Sequence, residues 1–231
     1  MDALILAGGL GTRLAQAVGD RAKPVADVGG RPFLAFVLEH LARCLEVRRA
    51  ILCVGHRAES VEAAFGARFG RLALDYSRED RPLGTGGALR RALLRAAPRA
   101  PVLAMNGDTF FPVAIDRLLG FHRSEKPAAT VAVARVDDSE RFGSVRLAGT
   151  RAAEFVEKGA AGTGWINGGL YVLGGPAIER LRQSPESFSL EREVLPALAA
   201  SGGLAAYRAR ARFIDIGVPR DYRRARRLLA G

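Results

Sequence analysis

The segment Leu6-Ala7-Gly8-Gly9-Leu10-Gly11-Thr12-Arg13-Leu14 limits what this chain can fold into more than any other. It follows a short apolar run, Ala3 to Leu6, whose pattern predicts a strand. In an open α/β sheet, ligands gather beyond the carboxyl ends of strands. Glycines at that point let backbone N–H groups approach an anion closely. Arg13 adds a planar fork of donors that fits phosphate oxygens. A plain strand-to-loop turn would use glycine as well. Two well-known loops are excluded by spacing: no Gly-x-x-x-x-Gly-Lys-Ser/Thr string occurs, and Leu14 fills the third slot of Gly-x-Gly-x-x-Gly. The loop is therefore read as a phosphate binder of another kind. Ten residues past Arg13 stands Lys23-Pro24-Val25, where a stiff backbone would hold an ammonium beside phosphates.

The rest of the first two-thirds alternates apolar runs with helical spacing. Strands are predicted at Ala50 to Val54, Leu72 to Tyr76 and Val102 to Met105, and helices at Phe33 to Cys44, Ser60 to Phe65, Gly87 to Ala97 and Val113 to His122. That alternation predicts a mainly parallel sheet covered on both faces. After about Pro127 strands become denser, at Ala128 to Val136, Ser144 to Leu147, Ala153 to Val156 and Ile166 to Leu173. Helices near Pro176 to Gln183 and Leu190 to Ala199, a strand at Phe213 to Ile216 and a helix at Arg220 to Ala230 complete the reading. The expected fold is α/β: a Rossmann-like, mainly parallel mixed sheet flanked by helices, in a single domain over residues 1–231.

Several function classes fall away. Cys44 and Cys53 form no Cys/His spacing, and His40, His56 and His122 are scattered, so zinc and a disulfide framework are not expected. Met1-Asp2 opens straight into the first strand without a basic start, and no apolar run reaches 18 residues, so the cytosol is expected, with no membrane partner. A net charge of +11 favours anionic partners. Much of it sits in Arg220, Arg223, Arg224, Arg226 and Arg227, which lack interleaved aromatics, so a solvated helix face is expected and nucleic acid is not.

Six segments in order carry a resemblance. The string Leu6 to Leu14 with Lys23-Pro24 closely resembles the signature of the sugar-1-phosphate nucleotidyltransferases. Pro82-Leu83-Gly84-Thr85-Gly86-Gly87-Ala88-Leu89 resembles their second glycine-rich loop, and Asn106-Gly107-Asp108 their metal-binding turn. Glu157-Lys158 and Asn167-Gly168-Gly169-Leu170-Tyr171 resemble their sugar-binding segments. Phe213-Ile214-Asp215-Ile216-Gly217-Val218-Pro219 resembles their second metal-binding segment. The matches run from residue 2 to about 222.

The resemblance implies transfer of a nucleoside monophosphate unit from a nucleoside triphosphate to a sugar 1-phosphate, with pyrophosphate released and Mg²⁺ as cofactor. It places Leu6, Ala7, Gly8, Gly9, Gly11, Thr12, Arg13, Glu79, Pro82, Gly84, Thr85, Asn106 and Gly107 at the nucleotide. Arg13 would hold the β- and γ-phosphates and Lys23 the α-phosphate, with Arg13, Lys23 and Asp108 as the catalytic set. Gly143, Glu157, Lys158, Asn167 and Gly168 would form the sugar phosphate site. Asp108 and Asp215 would bind metal, and magnesium's preference for one or two carboxylates plus phosphate oxygens suits that pair. Asp215 between Ile214 and Ile216 could equally pair with an arginine. Glu79 reads two ways, as a carboxylate accepting guanine N1–H and N2–H or as an exposed acid in Arg78-Glu79-Asp80-Arg81. The second loop, the length and the Phe213 segment look most like the heptose 1-phosphate guanylyltransferases, which favours GTP and D-glycero-D-manno-heptose 1-phosphate. Mannose 1-phosphate guanylyltransferases and some uridylyltransferases share parts of the pattern. An inactive nucleotide-binding relative would be expected to have lost Arg13, Lys23, Asp108 or Asp215, and all four are present. No left-handed β-helix is expected after the Asp215 segment. The oligomeric state stays open, a homo-oligomer included.

Overall fold

A computed structural model describes residues 1–9, 14, 22–140, 142–156 and 162–229. The chain opens with β1 (Asp2–Leu6), followed by a single 3-10 turn at Lys23–Val25 and the short pair β2 (Asp27–Val28) and β3 (Arg31–Pro32). Helix α1 (Phe33–Ala42), β4 (Arg49–Val54), α2 (Ala58–Phe65), β5 (Arg68–Phe69), β6 (Leu72–Arg78), α3 (Gly84–Ala96) and β7 (Val102–Asn106) complete the alternating half. Next come β8 (Thr109–Phe110), α4 (Ile115–Glu125), β9 (Ala129–Val136), β10 (Ser144–Ala148), β11 (Arg151–Val156) and β12 (Gly164–Leu173). The end comprises α5 (Gly175–Gln183), a π-helical turn at Leu190–Val194, α6 (Leu195–Ala200), β13 (Leu204–Ala209), β14 (Ile214–Asp215) and α7 (Pro219–Leu229).

Side-chain alternation along β1 explains the layering. Ala3 and Ile5 enter a core shared with Phe33, Val37 and Leu118, whereas Leu4 enters a second core with Leu89, Ile178 and Leu195. All three β1 residues are fully buried, as expected of a strand covered on both faces. Strand β4 divides likewise: Ala50, Leu52 and Val54 point one way, Ile51 and Cys53 the other. Each pointing direction is worth roughly 1.5–3 kcal/mol per large apolar side chain removed from water.

The ten-stranded sheet has the order β10-β11-β13-β9-β12-β7-β1-β4-β6-β5. Strands β7, β1, β4 and β6 are mutually parallel, and β12 runs antiparallel to both β7 and β9. The predicted alternating half is thus the parallel block, and the strand-dense region is its mixed extension. From β1 the chain steps to β4 and β6, then returns through α3 to β7 on the other side of β1. Between β1 and β7 lies the switch point of the topology, with Leu6 and Asn106 facing one another in register. A crevice at such a point is where open α/β sheets bind ligands.

Three local expectations change. Helix α3 begins at Gly84, so Gly84-Thr85-Gly86 forms its first turn rather than a free loop. The strand expected over Phe213 to Ile216 shortens to Ile214–Asp215 and leaves the main sheet to pair with Thr109–Phe110. Strand β13 carries no sequence signal, because Ala205, Ala206 and Ala209 give neither bulk nor alternation, and pairing with β9 and β11 defines it.

His122 is 7% exposed and its Nδ1 meets the Thr130 hydroxyl at 2.8 Å. Burial, and secondarily Arg123, pushes its pKa down from the ordinary 6.5. Below that ordinary value the unfolded chain takes up a proton that the folded chain refuses. Stability from this group is therefore present above it and lost as pH falls through the lowered value, at up to about 1.4 kcal/mol per pH unit. Urea unfolding at pH 7.5 and 5.5 is expected to show a smaller acid loss for His122→Gln than for the parent chain; equal losses would refute the assignment.

Candidate active site

At the switch point opens a cleft of about 510 Å³, lined among others by Leu6, Gly8, Gly9, Glu79, Pro82, Gly84, Thr85, Asn106 and Asp108. Three backbone bonds hold its floor. Ala7 N–H donates to the Cys53 carbonyl at 2.8 Å, Gly107 N–H to the Leu6 carbonyl at 2.8 Å, and Glu79 N–H to the Val54 carbonyl at 2.8 Å. The ends of β1, β4, β6 and β7 are thereby tied into one rim. A Cβ at Gly107 would lie 2.8 Å from the Leu6 carbonyl oxygen, so only glycine lets this turn cross β1.

Glu79 stands at the β6 end of this rim. Its Oε2 accepts the Leu83 N–H at 3.1 Å, and a Cβ on Gly8 would sit 3.0 Å from its Oε1. Burial raises its pKa, and the Leu83 bond and Arg91 oppose that only in part. Of its two readings, the structure places it in the cleft wall rather than in a solvated acid run. Gly55, His56 and Arg81 line the same cleft and gave no signal in the sequence, because they become neighbours only through the parallel pairing of β1, β4 and β6.

The glycines of α3's first turn answer to protein rather than to open space. A Cβ on Gly86 would meet the Phe188 ring at 2.2 Å, and one on Gly87 the Glu186 carbonyl at 2.3 Å. Gly86 N–H donates to the Phe188 carbonyl at 3.1 Å, and Phe188 N–H returns a bond to Leu83 at 3.0 Å. The Thr85 hydroxyl accepts from Leu190 N–H at 2.9 Å and donates to the Glu191 carboxylate.

On the other side, Asp108 and Asp215 come together from distant parts of the sequence. In the β8–β14 ladder Asp215 lies opposite Thr109, the residue after Asp108. The Thr109 hydroxyl lies 3.4 Å from Asp108 Oδ1 and 3.5 Å from Asp215 Oδ2. Lys23 Nζ donates to Asp108 Oδ2 and forms an ion pair with it. Burial first, and then the Asp108 charge, pushes the Asp215 pKa up, against the pull of Lys23 and of Gly217 N–H, which donates to Asp215 Oδ1 at 2.5 Å. No arginine pairs with Asp215 among the described residues; the carboxylate pair faces an ammonium. Two half-desolvated carboxylates that repel each other suit a divalent cation, and two are as many as magnesium takes when phosphates supply further oxygens. Among the described residues no larger cluster of His, Cys, Asp and Glu forms a metal site.

A bulge in β12 carries the expected sugar segment to this centre. Between Asn167 and Tyr171 the register against β9 shifts, and Gly169 adopts a φ of +67°. A Cβ there would lie 2.7 Å from Asn106 Nδ2, and one on Gly168 would lie 2.5 Å from the Phe111 ring. Asn167 N–H donates to the Gly143 carbonyl at 2.8 Å, its Oδ1 accepts Gly169 N–H at 3.0 Å, and its Nδ2 donates to the Tyr171 hydroxyl at 2.6 Å. Asn106 Oδ1 is buried with no partner among the described residues, an arrangement that costs free energy unless a ligand donor meets it. Of the remaining expected residues, Gly11, Thr12, Arg13, Glu157 and Lys158 lie outside the described residues. The structure unites Lys23, Asp108 and Asp215 on one side and Glu79, Gly84 and Thr85 on the other, with Leu6, Gly8 and Asn106 between them.

The nucleotidyl transferase family profile matches residues 2–230. The chain belongs to this family. The nucleotidyltransferase is 37% identical, over 99% of its length and 98% of the relative, to D-glycero-alpha-D-manno-heptose 1-phosphate guanylyltransferase of Aneurinibacillus thermoaerophilus. It is 35% identical to the enzyme of that name from Campylobacter jejuni, over 96% of this chain and 97% of the relative. The crystal structure of HddC from Yersinia pseudotuberculosis superposes with a TM-score of 0.85 at 33% identity, covering 99% of both chains. The same protein complexed with GMP-PN gives 0.84. No helix among the described residues is long and apolar enough to cross a membrane.

Proposed function

We propose that this nucleotidyltransferase makes GDP-D-glycero-D-manno-heptose and pyrophosphate from GTP and the heptose 1-phosphate, serving bacterial surface polysaccharide synthesis in the cytoplasm. The observation that carries the reading is the convergence of Lys23, Asp108 and Asp215 at the mouth of a cleft whose far wall presents Glu79. The relatives at 37% and 35% identity, both named for GTP-dependent heptose chemistry, support the choice of substrates.

A phosphate oxygen of the sugar substrate attacks the α-phosphorus of GTP in line. The new P–O bond forms as the bond to the β-phosphate oxygen breaks, and pyrophosphate leaves with the electron pair. The attacking oxygen is already ionised at neutral pH, so no side chain must take a proton. Catalysis reduces to positioning and charge stabilisation. Lys23 would meet the α-phosphate, moving its ammonium from Asp108 to the oxygens that gain charge in the transition state. Arg13 would hold the β- and γ-phosphates, and Lys158, Glu157 and Asn167 the sugar phosphate. Magnesium, held by Asp108 and Asp215, would neutralise the triphosphate. Glu79, as a carboxylate, would accept N1–H and N2–H of guanine, and its desolvated position strengthens such charged bonds.

Pyrophosphate release from GTP, ATP, CTP, UTP and dTTP against heptose, mannose and glucose 1-phosphates with Mg²⁺ tests the reading. Turnover with GTP and the heptose phosphate is expected, and preference for another pair would overturn the substrates. Asp108→Asn should lower kcat at least about 100-fold, the scale of removing one charge-stabilising group, with the far-UV CD spectrum unchanged. Near-normal turnover would remove Asp108 from the metal site. Protonating Glu79 removes an acceptor, so GTP affinity should fall on acidification, beginning above the ordinary carboxylate range because burial raises its pKa. Glu79→Gln should bind GTP more weakly at pH 7.5 and lose that acid dependence. A pH profile identical to that of the parent would exclude Glu79 as the base reader.

A further inference from the structure

The turn that carries Lys23 stands outside the ten-stranded sheet. Lys23–Val25 is a single 3-10 turn, and the hairpin that follows it, β2 and β3, forms a two-stranded sheet of its own. Among the described residues, no ladder of the main sheet sets where the Lys23 ammonium lies. The hairpin also leaves one acceptor open. Its closing bond runs from Phe33 N–H to the Ala26 carbonyl at 2.9 Å. Asp27 lies opposite Pro32 in the register, and proline has no N–H to offer. The Asp27 carbonyl therefore needs a donor from outside the hairpin.

That donor is the Tyr222 phenol of α7. Its hydroxyl donates to the Asp27 carbonyl from 195 residues along the chain. Tyr222 is buried in the same core as Val25, Val28, Ile214 and Ile216. Burial pushes its pKa up from the ordinary 10, so at neutral pH the phenol keeps the proton that it donates. Tyr222 and Ala225 form the inward face of α7, and Arg223, Arg224, Arg226 and Arg227 are exposed. The stretch from Asp215 to Tyr222 thus touches the Lys23 turn and the Asp108 turn at once. Ile216 N–H donates to the Asp108 carbonyl at 3.0 Å, and a Cβ on Gly217 would lie 3.5 Å from Lys23 Nζ. Both partners of the Lys23–Asp108 ion pair are therefore tied to one segment.

We propose that Tyr222 is a positioning residue: by tying the Asp27 carbonyl to α7, it sets the Lys23 ammonium where it meets Asp108 before turnover and the α-phosphate during it. The inference rests on the assignment of Lys23 to the α-phosphate. An ammonium on a flexible four-carbon stem can reach several places, so the position of its backbone decides what it meets. Packing alone would be satisfied by any ring at position 222. The hydroxyl adds a directed bond that holds the turn at one distance from the helix.

Tyr222→Phe in the full-length protein tests this, because it removes the hydroxyl and keeps the ring. With GTP, the heptose 1-phosphate and Mg²⁺, kcat should fall about 10- to 100-fold, the scale of a small misplacement of a catalytic group, while the KM for GTP stays within about threefold of the parent. Tyr222→4-aminophenylalanine puts a donor back at the same place and should recover most of the lost kcat. A second readout does not depend on turnover. The chain has three lysines, Lys23, Lys126 and Lys158, so ¹³Cε labelling of lysine gives three resonances, and Lys23→Arg identifies the one that is lost. Tyr222→Phe should move the Lys23 resonance and leave that of Lys126, at the end of α4, in place. An unmoved Lys23 resonance, a kcat equal to the parent's, or a 4-aminophenylalanine variant as slow as Tyr222→Phe overturns the role of Tyr222. Loss of the fold in Tyr222→Phe overturns it as well, since the bond would then serve the whole chain rather than the Lys23 turn. Normal turnover in Lys23→Ala overturns the α-phosphate assignment itself.

Discussion

The crossing of β7 beside β1 is the constraint from which the site follows. Gly107 passes so close to the Leu6 carbonyl that its own N–H is bonded there at 2.8 Å and no side chain fits. That contact sets the end of β7 level with the glycine loop after β1. It delivers Asn106 to the cleft floor and Asp108 to its mouth. Once Asp108 is fixed, Thr109–Phe110 offers an edge on which Ile214–Asp215 pairs, and the second carboxylate arrives from 107 residues further along the chain. The Lys23 ammonium then offsets part of the repulsion between the two acids.

Opposite charges and like charges are both concentrated in a small, partly desolvated volume. The Lys23–Asp108 pair and the raised pKa of Asp215 are two consequences of that crowding. Neither would be favoured for stability alone, since desolvating charge costs more than most pairs return. Both suit a reaction in which a highly anionic substrate enters and a second anion attacks it. The glycines of α3 serve a different end: they let the helix lie against Phe188 and Glu186, so this wall of the cleft rests on the segment that also carries Glu191.

Much of this was legible in one dimension. The apolar runs of β1, β4, β6 and β7 are long enough, and the helices between them periodic enough, to announce parallel strands. Asp215 was conspicuous because an acid flanked by two isoleucines needs a partner. Other residues were silent. Strand β13 has too little bulk to show a period, and it exists because β9 and β11 lie on either side of it. Glu191 in Leu190-Glu191-Arg192-Glu193-Val194 looks like any acid on a helix, and the Thr85 hydroxyl that donates to it comes from a distant part of the chain.

The sequence by itself determined the layered α/β architecture, the family, and the residue types suited to phosphate and metal, because these depend on local periodicity and on short strings with fixed chemistry. Only the tertiary structure decided which of those residues meet. Parallel pairing put Gly55 and His56 beside Gly8, a two-residue ladder brought Asp215 to Asp108, and a bulge turned Gly169 onto Asn106. The physical reason is that strand register and bulge position are set by long-range hydrogen bonding and packing across the sheet. Those are sums over many distant partners, and no window of the sequence contains them.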